Sequence, residues 1–203
     1  MLKLIPLIII GFLLISGCKP IIELNGNSYR FLSEKSKSKL VEFNHSYCSN
    51  CRDTLEYGHF MEMGGDDLNT FIQKNDQVVL KFLNIYCSGA VYSDYVELNK
   101  YFDSNDKVKY LLVSKEYDLK TIREFNNSIK TPGVIFIMKD EYYGHKLRKI
   151  QNRFRKDLKK SDPQLLITKA NTVNDTYIFR SGKLAYTGYE ISTGVIDSVL
   201  YKL

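Results

Sequence analysis

The chain of 203 residues carries only three histidines, four prolines and four cysteines, and what it lacks removes several chemistries at once. No serine, histidine and aspartate stand in an order suited to nucleophilic hydrolysis, no glycine-rich loop is placed to cradle phosphate, and no carboxylate pair has a spacing for acid and base work. Hydrolase and nucleotide chemistry are therefore unsupported, and no cofactor is expected. The formal charge of +6 and a pI near 9.0 are mild and do not require nucleic acid as a partner. The apolar run in "MLKLIPLIIIGFLLISGC" is short for a full membrane span. With Lys3 at its head and Ser16 and Gly17 at its end, it has the layout of a secretory signal.

The end of that segment, "ISGC", resembles the bacterial lipobox. The resemblance implies that residues 1–17 are a signal peptide, that Cys18 is lipidated and becomes the first mature residue, and that the body sits in the cell envelope, lipid-anchored to the membrane and facing the extracytoplasmic space. A plain N-terminal membrane anchor is the alternative and places the body on the same side. Residues 18–37 read as a polar tether with room for one hairpin. Three cysteines remain beyond it, in a compartment where disulfides persist. An odd number leaves one thiol free or alternately paired.

Two phrases carry those cysteines. "LVEFNHSYCSNC" holds Cys48 and Cys51, and "VLKFLNIYCSGA" repeats its pattern thirty-nine residues later, Phe82, Tyr86, Cys87 and Ser88 falling in register with Phe43, Tyr47, Cys48 and Ser49. The Cys48/Cys51 pair reads as a redox centre, a structural disulfide or a metal clip. Zinc held by Cys48, Cys51, His45 and His59 satisfies a ligand count but no established spacing, and no metal is expected. Cys87 alone reads as a reactive thiol or as a small core residue after a buried strand. A thiol peroxidase would set a proline and a threonine or serine ahead of its cysteine, and neither "FNHSY" nor "FLNIY" does so.

Periodicity orders the rest. "LVEF" predicts a strand and "RDTLEYGHFMEM" a helix ended by Gly64 and Gly65, which would set the paired cysteines between strand and helix. "DLNTFI" and "QVVLKFLNIY" read as strands, and "YSDYVELNKYF" as a helix with Tyr95, Leu98 and Phe102 on one face. "VKYLLVS" reads as a strand, "LKTIREFNNSI" as a helix and "GVIFIM" as a strand. "DTYIFRSGKLAYTGY" has two apolar runs flanking Ser181 and Gly182 as in a hairpin, and "VIDSVLYKL" is a final helix. Strands separated by helical lengths argue for a parallel sheet.

These residues resemble the thioredoxin-like (redoxin) superfamily. "VVLKFLNIYCSGAVYSDYVELNKYF" looks like its first strand and active-site helix, "VKYLLVSKEYDLKTIREFN" like the next strand and helix, and "TYIFRSGKLAYTG" like the final hairpin. The resemblance implies an α/β, three-layer fold with a mixed central sheet flanked by helices and an N-terminal extension. The domain is then residues 66–203, registered on Cys87, with residues 38–65 as an N-terminal Cys-x-x-Cys segment. Ser88, Gly89 and Ala90 follow Cys87, so the family's resolving cysteine is absent there. The family's cis-proline position falls on Asn174 in one alignment and on Pro132 in another. A rival registration reads "KLVEFNHSYCSNCRD" as the active phrase, with Cys48 as nucleophile and Cys51 as resolving thiol.

The family implies thiol-disulfide oxidoreductase activity on cysteine-containing envelope proteins, with catalytic candidates Cys48, Cys51 and Cys87. A redox-inactive binding or adaptor lipoprotein stapled by a Cys48–Cys51 disulfide is the alternative. A thiolate at a helix N-terminus is favoured by unpaired N–H groups and the helix dipole, which lower the thiol pKa from about 8.5. Between the domain's central units and its hairpin, "GHKLRKIQNRFRKDLKK" predicts a basic helical insertion over about 145–160. Leu147, Ile150, Phe154 and Leu158 form its stripe against the domain, and the basic side faces water or anionic headgroups. Globomycin treatment is expected to accumulate the uncleaved precursor, and mass analysis of the mature N-terminus should show acylated Cys18. A mature chain beginning elsewhere with Cys18 unmodified overturns the lipidation.

Overall fold

The run "QVVLKF" is apolar on both pleat faces, the signature of a strand covered from two sides. The computed structural model describes residues 32–43, 60–83, 90–114, 117–129, 135–139, 152–153, 156–157, 160, 176–188 and 191–201. Within them, this run is β3 (Gln77–Phe82), with every residue from Val78 onward buried. It is flanked by β4 (Val108–Ser114), to which it is parallel, and by β6 (Thr176–Arg180), to which it is antiparallel.

The remaining strands extend this centre in both directions. β5 (Ile135–Met138) pairs parallel with β4, β2 (Phe60–Met63) with β5, and β1 (Leu40–Glu42) with β2, while β7 (Lys183–Gly188) pairs antiparallel with β6. The seven-stranded mixed sheet has the order β1-β2-β5-β4-β3-β6-β7. At the β6–β7 connection Ser181 and Gly182 both have positive φ, 49° and 77°, the twist that a two-residue hairpin requires. A Cβ at Gly182 would meet only the movable amide end of Gln73, with Oε1 at 2.6 Å, so it is the positive φ that calls for glycine there. β7 carries one extra residue opposite the step from Ile178 to Phe179.

Helices cover both faces. On one, α2 (Gly65–Lys74) buries Leu68, Phe71 and Ile72 against Met61, Leu80, Phe136 and Phe179. On the other lie α3 (Ala90–Asp103), α4 (Leu119–Ile129) and α5 (Thr193–Tyr201), which contribute Tyr95, Ile122, Phe125, Leu98 and Ile196. A short α1 (Glu34–Lys37) precedes β1, capped by Ser33. β3-α3-β4-α4 followed by β6-β7-α5 is the order of βα units, hairpin and helix expected of a thioredoxin-like α/β fold.

Several expectations hold and several do not. Tyr95, Leu98 and Phe102 share the buried face of α3, and the strand, helix and hairpin expected over 108–188 are in place. Residues 60–63, expected to end a helix, are instead β2. The "DLNTFI" stretch, expected as a strand, is α2. Gly64 and Gly65 start that helix rather than end the one before it: the Gly64 N–H donates to Asp67 Oδ2 at 3.0 Å, and Asp66 and Asp67 complement the dipole of the first turn. The next described element after the Cys48/Cys51 pair is thus a strand, and the flanking strands of that segment belong to the same sheet as the rest. The tether's end, expected to be turn-rich, holds the α1 turn. Asn174, Pro132 and the stripe Leu147, Ile150, Phe154 and Leu158 lie outside the described residues. In the basic segment, 152–153, 156–157 and 160 are helical, with Arg153, Lys156 and Lys160 exposed and Asp157 buried.

The Tyr110 ring stacks on Phe102 with centroids 4.0 Å apart, and its hydroxyl is buried without a hydrogen-bond partner among the described residues. Burial, aided by neighbouring Tyr95, pushes that hydroxyl well above the ordinary phenol range. Deleting an unpaired buried hydroxyl removes a desolvation cost of about 1 kcal/mol or more, so Tyr110→Phe is expected to raise the urea midpoint. The folded state also resists ionisation that the unfolded state undergoes near pH 10, so wild-type stability falls as pH rises past that value. The fall should be shallower in Tyr110→Phe.

Candidate functional site

Parallel strands deliver all their outgoing loops to one edge, and in open α/β sheets ligands bind at that carboxyl edge. Here β1, β2, β5, β4 and β3 run the same way, so the edge is built from the residues that end them. Glu62 of β2 faces the side covered by α3 and α4, level with Ile137. Tyr117, just past β4, is 4% exposed; its hydroxyl donates to Glu62 Oε1 at 2.6 Å, with the Met138 carbonyl 3.2 Å away as a second acceptor. Glu42, paired in register with Glu62 on the neighbouring strand, accepts from Lys139 Nζ at 2.7 Å. Lys139 Nζ thus sets a positive charge against the Glu42 carboxylate, which pairs in register with a second glutamate.

One residue on, Asp118 holds the first turn of α4: its carboxylate accepts from the Thr121 N–H at 3.1 Å and from the Thr121 hydroxyl at 2.7 Å. This cap fixes the turn that carries Tyr117. At the end of β3, Lys81 is 8% exposed. Its Nζ donates to Thr176 Oγ1 at 3.3 Å and sits 5.6 Å from the Tyr95 ring centroid. A buried ammonium is tolerated when it is paired and hydrogen-bonded. The hydroxyl and the ring supply two of its contacts.

Cys18, Cys48, Cys51 and Cys87, together with His45 and His59, lie outside the described residues. What the sheet gives is the placement of the strands that lead to them. Phe43, past the end of β1, packs its ring against Phe71 and Phe136, and the chain then proceeds to Cys48 and Cys51. Leu83, whose N–H donates to the Val113 carbonyl at 2.9 Å, ends the β3 extension, and the chain then proceeds to Cys87 and to α3 at Ala90. Among the described residues no group of histidine, cysteine, aspartate and glutamate is arranged to hold a metal ion, and no helix is long and apolar enough to cross a membrane. Sequence reading did not single out Lys81, Glu62, Tyr117, Lys139 or Asp157. Only Lys81 announces itself, as one charge inside an apolar run; Glu62, Tyr117 and Lys139 are joined by contacts across fifty or more residues, and Asp157 pairs locally with Lys160.

No protein-family model and no curated protein matches the chain. Among solved structures it is similar to a thioredoxin-like protein from Aeropyrum pernix, at 16% identity and a TM-score of 0.42, over 62% of this chain and 76% of that one.

The Lys139 hydrogen bond and charge hold the Glu42 carboxyl below the ordinary carboxylate range. Because the folded pKa is depressed, the contribution is present above the unfolded carboxylate pKa and disappears as pH falls through the folded one. Carboxyl NMR titration should find Glu42 titrating low, and Lys139→Met should move it upward. Tyr117→Phe removes a hydrogen bond to a charged acceptor and is expected to cost about 1.5–3 kcal/mol in urea unfolding.

Proposed function

We propose that the chain is a lipid-anchored, extracytoplasmic thiol-disulfide oxidoreductase acting on cysteine-containing proteins of the cell envelope. The observation that carries the reading is the sheet itself: both cysteine phrases continue from parallel strands whose carboxyl ends lie at one edge. Cys87 stands in sequence between β3 and α3, three residues ahead of a fourteen-residue helix, where N–H groups and the dipole favour a thiolate. Cys48 and Cys51 follow β1 and supply the dithiol that Cys87 lacks.

In the proposed reaction the Cys48 thiolate attacks a substrate disulfide and forms a mixed disulfide, releasing one substrate thiolate. Cys51 then attacks Cys48 Sγ and releases the second, leaving a Cys48–Cys51 bond and a reduced substrate. Arg52, next in sequence, adds positive charge that favours the thiolate form. A second reading, a redox-inactive adaptor with a structural disulfide, draws support from the direct pairing of β1 with β2, since a bond within the segment joining adjacent strands would act as a staple.

Insulin-disulfide reduction separates the two. Wild type is expected to be active, Cys48→Ser inactive, and Cys51→Ser to accumulate mixed disulfides on non-reducing gels. An inactive wild type whose Cys48–Cys51 bond resists dithiothreitol until the protein unfolds supports the staple instead.

A further inference from the structure

The positive charge of this chain is gathered in one place. Residues 145–160 hold eight lysines and arginines against one acid, Asp157, a net of +7, while the whole chain is +6, so all other residues together stand at −1. Elsewhere the two signs are interspersed: α2 opens on Asp66 and Asp67 and ends on Lys74, and on α4 Lys120 pairs with Glu124 at 3.9 Å. The described part of the basic segment shows which way it is turned. Arg153, Lys156 and Lys160 are exposed and follow one another at three and four residues, on one helical face. Asp157 is buried, and Lys160 Nζ reaches its Oδ1 at 3.3 Å and Asp66 Oδ1 at 3.8 Å. The segment's one acid is thus turned inward and these three cations outward. Lys160 also ties the segment to the first turn of α2, where β2 gives way to that helix. The chain leaves β5 at Met138 and enters β6 at Thr176, the partner of Lys81 near the end of β3. Both ends of the insertion therefore sit at the carboxyl edge, as does the Lys160–Asp66 contact.

We infer that this basic face binds the anionic phospholipid headgroups of the bilayer, as a second membrane contact beside the N-terminal anchor. The inference rests on the lipid-anchored reading of the N-terminus, which brings the body to a bilayer surface. An anchor at one end of a chain holds it at the surface without fixing the orientation of the body; a polybasic face adds the contact that does. Each lysine or arginine close to an anionic surface is attracted to it, and the attraction fades within a Debye length. A bilayer suits this face better than an acidic protein does, because laterally mobile headgroups can match cations spread along a helix without a fixed complementary surface. Headgroup binding then turns the side of the carboxyl edge beside α2 toward the lipid.

The full chain, incorporated into vesicles of phosphatidylcholine alone or with about one quarter phosphatidylglycerol, is labelled with an amine-acetylating reagent and digested for mass spectrometry. Lys156 and Lys160 are expected to be protected on the phosphatidylglycerol vesicles and not on phosphatidylcholine, and high salt should restore their labelling. Exposed Lys74 and Lys107, which precede β3 and β4 at the opposite edge, should label alike on both. Arg153→Gln combined with Lys156→Gln, at two exposed positions, should lower the ratio of protected to labelled Lys160 about twenty-five-fold, at about fivefold per charge. Equal labelling of Lys156 and Lys160 on the two vesicles, or protection that survives both high salt and the double variant, overturns the inference. Flotation is read on the same samples: flotation on phosphatidylcholine without phosphatidylglycerol-dependent protection removes only the basic-face contact, whereas flotation confined to phosphatidylglycerol vesicles keeps that contact and removes the N-terminal anchoring.

Discussion

The burial of β3 on both faces is the constraint on which the rest of the architecture depends. A strand covered by α2 on one side and by α3 and α5 on the other leaves its backbone groups no partner but neighbouring strands, and here it gains β4 on one flank and β6 on the other. Parallel pairing with β4 then demands a crossover, which α3 supplies, and places the β3–α3 junction at the carboxyl edge. Antiparallel pairing with β6 closes the other flank through a hairpin. Lys81, held inside this strand, is the exception to its apolar character, and its contacts with Thr176 and Tyr95 tie β3 to β6 and to α3.

Much of this was legible because the sequence repeats one rule. "QVVLKF", "VKYLLVS" and "GVIFIM" are short apolar runs, and the helices between them place apolar residues three and four apart, so the alternation of strand and helix could be read from residue 77 to 138. The hairpin announced itself at Ser181-Gly182. The segment from 60 to 74 was misread for a physical reason. Leu68, Phe71 and Ile72 have helical spacing, but only "DLNTFI" entered the window, and a short apolar cluster suits either element. Gly64 and Gly65 look the same at a helix end and a helix start; the acids that follow at Asp66 and Asp67 carry the deciding information.

The carboxyl-edge contacts were not legible in the same sense. Glu62 and Tyr117 meet only because β5 and β4 separate β2 from the turn after β4 by a fixed spacing, and Glu42 meets Lys139 only because β1 and β5 flank β2. Such pairs depend on strand order, which local periodicity does not encode. The self-similarity of the two cysteine phrases shows the same limit. It aligns Phe43 with Phe82 in sequence, whereas the sheet sets Val41 level with Phe82. The two-residue offset preserves pleat parity, and both phenylalanines face α2.

The two outer strands bear on how this molecule meets others. β1 offers only three residues to a would-be neighbour, and β7 is bent by its extra residue opposite Ile178–Phe179 and begins with exposed Lys183. Short, bulged or charged margins resist the addition of a foreign strand. Backbone templating at either rim is therefore disfavoured, so any chain that binds this sheet's margins would have to engage side chains and loops rather than extend the ladder.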